Sequence, residues 1–164
     1  MTKKEWSITG QGILSLFLLY HLFPSSWWKV ALINYCFAFV YESTMHGMFK
    51  YHPDLVTSRC IKNTEVNYLF PLGWNLIFAL TMIAASKMGG SFLSYIISAI
   101  IAGNLMEITF HSLGYWTYNY DSYYLGLFKP FRPKAVILGI PLQVFLGYSV
   151  VGCFVWFFSK FIFT

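Results

Sequence analysis

The sequence predicts an all-α, polytopic membrane helix bundle with about five transmembrane helices: a first helix followed by a duplicated two-helix unit. Three observations carry this. Of the 164 residues, 57% are apolar and only 10% charged, where a soluble domain has about 25% charged residues. Aromatic residues make up 21% of the chain, far too many for a disordered one. The apolar residues also gather into five stretches, each near the length of about 20 residues that a bilayer crossing requires. A single integral membrane domain over residues 1–164 is expected, with any chemistry done by helices and short loops.

The stretches follow in order. The first covers about 6–23 and is stopped by Pro24-Ser25-Ser26. It follows a basic N-terminus without a clear small-residue cleavage site, so it reads as a retained helix and not a signal peptide. The second, about 27–48, opens on Trp27-Trp28, a pair suited to the membrane interface. The third, about 66–86, closes at Lys87-Met88-Gly89-Gly90; the fourth runs about 91–113 and the fifth about 135–163. Connections after the first and third are short. Those after the second and fourth are long and hold most of the Pro, Asp and Tyr, which makes them places where functional residues can sit.

The net charge of +5 has no nucleic-acid pattern, because the basic residues lie between apolar segments. Lys3, Lys4, Lys50, Arg59, Lys62, Lys129, Arg132 and Lys134 fall on the side of the N-terminus, against Lys29, Lys87 and Lys160 on the other. That asymmetry predicts a multi-pass protein with a cytoplasmic N-terminus, cytoplasmic long loops and the C-terminus on the opposite side. Cys36, Cys60 and Cys153 are odd in number and widely spaced, with neither metal nor disulfide spacing.

The most specific signal is a repeat. Glu42-Ser43-Thr44-Met45-His46 near the end of the second helix is matched by Glu107-Ile108-Thr109-Phe110-His111 near the end of the fourth. Tyr51 and Tyr118 follow downstream, then Pro71-Leu72-Gly73-Trp74 and Pro141-Leu142-Gln143-Val144 early in the next helix. An internal repeat of about 27–86 and 91–163 is expected, related by rotation about the membrane normal, with a shared site on the pseudo-axis. Residues four apart share a helical face, so each motif presents a carboxylate and an imidazole on one stripe. Three readings of the motif stay open: a hydrogen-bonded packing lock, acid–base or cation-stabilising chemistry by a buried carboxylate, and a metal held by two Glu and two His. No cofactor is required by the first two, and the metal is left undecided.

The candidate catalytic residues are therefore Glu107, Glu42, His111 and His46, and the candidate substrate-binding residues are Trp116, Tyr118, Tyr51, Trp74 and Asn75. Interhelical hydrogen bonding is the plainer role for Asn34, Asn75 and Asn104. His21 reads as interfacial, and Asp54 and Asp121 as turn residues. The tyrosines and tryptophan from Tyr115 to Tyr124 form either an interfacial belt or a wall for an apolar ligand.

The run Glu107…Gly114-Tyr115-Trp116-Thr117-Tyr118…Leu125-Gly126…Gly139-Ile140-Pro141-Leu142-Gln143…Gly147-Tyr148 resembles the signature of small membrane enzymes of carotenoid biosynthesis, the lycopene cyclase domain and the carotenoid hydratases. The chain departs from the cyclase pattern at Gln143, where paired acids are usual, which argues against proton-driven cyclisation in that form. The resemblance implies a bundle that admits an isoprenoid from the bilayer and a buried acid that protonates or hydrates a double bond, with aromatics facing the cation, in cyclase, hydratase, isomerase or lyase chemistry. The expected function is an intramembrane enzyme acting on an isoprenoid- or carotenoid-like substrate by carboxylate acid–base chemistry. The alternatives are a small transporter or channel with an intramembrane Glu pair, and a non-catalytic subunit of a membrane complex. Expected partners are the lipid bilayer and an apolar lipid-like substrate, with no nucleic acid; a homo-oligomer or a larger membrane complex fits equally.

Overall fold

The computed structural model describes residues 1–45, 47–62, 64–119 and 136–162, without the side chains of 161 and 162. It is mostly helical, with five α-helices among the described residues: α1 (Lys3–Leu22), α2 (Trp27–Met45), α3 (Phe70–Lys87), α4 (Phe92–Ser112) and α5 (Leu142–Ile162). Four short strands join them: β1 (Phe49–Tyr51), β2 (Trp116–Tyr118), β3 (Val136–Ile137) and β4 (Ile140–Pro141). The chain divides into two compact units, Met1–Leu76 with Phe110–Arg132 and Ile77–Thr109 with Pro133–Thr164.

In the first unit, Thr2 caps α1. Its hydroxyl accepts from the Glu5 N–H at 3.2 Å while its own N–H donates to Glu5 Oε2 at 3.0 Å, so two otherwise orphan donors are satisfied. Pro24 cannot continue α1, and a tight turn in which the Trp27 N–H donates to Phe23 O at 2.8 Å lets α2 fold back on it. Helix α1 also approaches α3 closely. A Cβ on Gly12 would stand 3.0 Å from Leu72 Cβ, so the bare glycine lets the two helices approach closely. Gly47, at φ 88°, ends α2 three residues before the predicted boundary at 48.

Strands β1 and β2 pair antiparallel, Phe49 opposite Tyr118 and Tyr51 opposite Trp116. The ladder continues at both ends through Asn119 N–H to Met48 O, 2.6 Å, and His52 N–H to Tyr115 O, 2.8 Å. The segments that follow the two Glu-x-Thr-x-His motifs are thus hydrogen-bonded to each other.

Helix α3 begins at Phe70, later than the predicted 66. Asn67 stops the segment short: its Oδ1 accepts from the Leu69 N–H at 3.0 Å, a local bond that competes with helix formation.

In the second unit the predicted fifth helix, from 135, is shortened. Val136 pairs with Pro141 and Ile137 with Ile140 around Leu138 and Gly139, both at positive φ (52° and 82°). Two central residues of positive φ make a primed hairpin turn, which a hydropathy scan cannot separate from apolar helix. Helix α5 starts after Pro141. It packs on α4 with Gly152 at the contact, where a Cβ would lie 2.6 Å from Ile96 Cα and 2.8 Å from Tyr95 O.

Among the described residues, α4 and the Leu142–Lys160 stretch of α5 are long and apolar enough to cross a membrane. The other three are diluted by polar residues: Lys3, Lys4, Glu5 and Gln11 in α1, Lys29, Asn34 and Glu42 in α2, Asn75 and Lys87 in α3. Large apolar side chains nevertheless stand outward on every helix, including Ile13 and Phe17, Leu32 and Val40, Leu80, the four-residue stripe Leu93, Ile97, Ile101 and Leu105, and Leu146 and Val150. The buried set conversely holds Asn34, Asn75, Thr81, Ser94, Ser98, Asn104 and Glu107.

Candidate functional site

Each motif carboxylate is held by an aromatic donor from the helix that follows it. In the first unit, half-buried Glu42 lies near the end of α2. Its Oε2 accepts from Tyr51 Oη at 2.9 Å and its Oε1 from Trp74 Nε1 at 2.7 Å. Two O–H and N–H dipoles aimed at one carboxylate fix its rotamer and tie α2 to β1 and α3. Aromatic rings surround these donors: Tyr41 at 4.9 Å from Trp74, Phe70 at 4.6 Å and Trp116 at 6.1 Å from Tyr51, centroid to centroid. The sequence-predicted residues Glu42, Tyr51, Trp74 and Trp116 are therefore brought together.

Asn75, the next residue along α3, is buried, and neither its Nδ2 nor its Oδ1 has a hydrogen-bond partner among the described residues. Among the described residues it makes no interhelical hydrogen bond. Tyr118 lies one strand over, its ring 5.7 Å from Phe49 and 5.0 Å from His111. His111 Nδ1 stands 3.0 Å from the Trp116 carbonyl oxygen, so the imidazole is tied to β2. His46 lies outside the described residues, as do Asp121, Leu125, Gly126, Lys129, Arg132, Lys134 and the tyrosines from Tyr120 to Tyr124.

In the second unit Glu107 is 3% exposed, and its Oε2 accepts from Tyr148 Oη of α5 at 2.9 Å. The threonines of both motifs turn back on their own helices, Thr44 to Tyr41 O and Thr109 to Leu105 O, each at 2.7 Å. Both hydroxyls thus bond within their own helix. Asn104, one turn before Glu107, donates through Nδ2 to Ile100 O at 2.7 Å and across to Phe145 O at 3.0 Å, the interhelical role expected of it. Among the described residues no group of three or more His, Cys, Asp or Glu could hold a metal ion.

A second polar cluster went unread in the sequence. Glu5, completely buried, accepts from Thr57 Oγ1 at 2.6 Å, from Asn67 Nδ2 at 3.1 Å and from Arg59 Nη1 at 3.1 Å, besides the Thr2 N–H. Burial works to raise its pKa, but the Thr57, Thr2 and Asn67 hydrogen bonds and the Arg59 charge outweigh it and bring it to about 2. The Thr2-x-x-Glu5 capping box was the available signal. Lys4 adds a further tie, donating to Leu113 O at 3.2 Å and Gly114 O at 2.6 Å at the end of α4, where a cation suits the helix dipole. Asp54 takes the turn role expected of it: its N–H donates to His52 Nδ1 at 3.2 Å in a short 3-10 turn. His21 packs edge-on to Phe17 at the exposed end of α1.

No family model, no curated protein and no solved structure matches this chain.

Proposed function

We propose that the protein is a five-span membrane enzyme in which Glu107 acts as a general acid–base on a lipid-soluble, isoprenoid-like substrate, with Glu42 the equivalent carboxylate of the first repeat. The observation that carries this reading is Glu107 itself: a carboxyl 3% exposed, inside a helix apolar enough to cross a bilayer. An ionisable group in that setting is costly and by default functional.

Connectivity supports more crossings than hydropathy alone. Paired strands β1 and β2 must lie on one side of the membrane. If α4 between them crosses, α3 must cross as well. The Thr2 hydroxyl donates to Asp54 O at 2.7 Å and Lys4 to Gly114 O, so the N-terminus belongs to that same side. Helices α1 and α2 then cross together or not at all, and the outward apolar residues on both favour crossing. With α5 this makes five spans, a C-terminus opposite the N-terminus and, from the Lys and Arg bias, a cytoplasmic N-terminus.

The antiparallel pairing of β1 with β2, equivalent segments of the repeat, is what a two-fold rotation along the membrane normal produces. Protonating a polyene would generate a carbocation, which the π-faces of an aromatic-rich chain can stabilise.

The test is Glu107→Gln, which keeps the shape of the side chain and removes its acidity. Membranes carrying wild type or variant are incubated with polyene isoprenoids and the products separated. Conversion by wild type and at least about a hundredfold less by the variant, at equal thermal stability, is expected for loss of a general acid. Equal conversion by both rejects the acid role.

A further inference from the structure

Helices α4 and α5 run antiparallel: Gly152 meets Tyr95–Ile96, and Tyr148, one turn earlier on α5, meets Gly103 further along α4. A Cβ on Gly103 would overlap the Tyr148 ring, so the ring lies flat on bare backbone. Helical side chains point toward their own N-terminus, which for Tyr148 is the direction along α4 from Gly103 to Glu107. Gly103 and Glu107 are four apart and share one face. The hydroxyl therefore arrives at Glu107 Oε2, 2.9 Å away, because the ring has a seat one turn below. Asn104 locks the rotation of α5 by donating to Phe145 O, three residues before Tyr148.

The first repeat supplies an internal comparison. By the motif correspondence, Gly103 matches Ala38 and Tyr148 matches Phe78. There the Cβ is present and the hydroxyl absent, and Glu42 takes its donors from Tyr51 and Trp74.

From this geometry we propose that Tyr148 is the positioning residue of Glu107, aiming its carboxyl at the reacting atom, and that Gly103 is the seat that makes this possible. The inference rests on the acid role of Glu107 for its consequence in catalysis, but not for its structural test. Proton transfer depends steeply on the placement of the donor atom, so a carboxyl free to change rotamer is a poorer acid even at unchanged substrate affinity.

Infrared spectra of the full-length protein in lipid nanodiscs give a readout that needs no substrate. The Glu107 band is the one lost in Glu107→Gln. Tyr148→Phe removes only the hydroxyl, and Gly103→Ala keeps the hydroxyl but fills the seat. Both variants are expected to move the Glu107 band, and in the same direction, since both withdraw the same hydrogen bond. In turnover both are expected to lower kcat by about tenfold or more with KM unchanged, the mark of a lost transition-state contact. A Glu107 band unmoved in folded Tyr148→Phe overturns the proposal, and this holds even if Gly103→Ala does not fold. A moved band together with full activity in Glu107→Gln leaves the Tyr148 contact standing and sinks the acid role instead.

Discussion

Replacing Glu5 by Gln should destabilise the protein at neutral pH and remove the part of its acid sensitivity that Glu5 carries. The carboxylate accepts from Thr57, Asn67, Arg59 and the Thr2 N–H while completely buried. Gln keeps one acceptor and turns an NH2 group toward donors, so at least one of these contacts becomes donor against donor. Depression of the pKa from 4.5 to about 2 corresponds to about 3 kcal/mol. Because the Arg59 side chain is 43% exposed and screened by water, about 2 kcal/mol is the figure to expect. The sign follows from the lowered pKa. Stability from the ionised group is complete above about 4.5 and is lost as the pH falls toward about 2. Thermal unfolding of detergent-solubilised wild type and Glu5→Gln at steps between pH 7 and pH 2 measures it. The wild-type advantage should be constant down to about pH 5 and shrink below. Equal midpoints at pH 7, or a gap that persists undiminished at pH 2, would refute the reasoning.

The remaining predictions are these. Cys36 and Cys153 stand exposed on α2 and α5, so in a five-span protein they face lipid. In intact membranes a membrane-impermeant maleimide should label neither, and SDS should release both; rapid labelling without detergent would remove the five-span reading. Burial pushes the Cys60 thiol pKa up, so this loop cysteine should label slowly at pH 7 and faster at pH 9. Gly152→Ala should cost about 1–3 kcal/mol, because the new methyl meets backbone of α4, which cannot rotate away as a side chain can. Unchanged thermal stability of that variant would show that the α4–α5 approach is looser than described.

Helices were legible wherever an apolar run had punctuation at both ends. Pro24 and Gly89-Gly90 delimit α1, α3 and α4 within a few residues of their expected bounds. Reading failed where apolar residues do something other than form a helix. Residues 136–141 are apolar yet form a hairpin, because Leu138 and Gly139 adopt positive φ, a backbone property that hydropathy does not encode. For the site, the repeat pointed to Glu42 and Glu107 and to Tyr51 and Trp74, two donors of Glu42. It did not point to Tyr148, since the position matching Trp74 is Val144 and the donor has moved one turn along α5. Glu5 escaped because it sits just outside an apolar run, among residues that look like ordinary topology-setting charge. Its partners Thr57, Arg59 and Asn67 come together only when the loop folds back on α1.

The β1–β2 ribbon also constrains how the chain can be made. About 65 residues separate Tyr51 from its partner Trp116, and at about 5–20 residues per second the ribosome needs roughly 3–13 s to supply the second strand. For that interval the first strand presents an open edge. Its brevity, three residues with Lys50 in the middle, makes it a poor template for pairing with another nascent chain. Closing the ribbon therefore waits for α3 and α4 to be synthesised, while α5 is still to come.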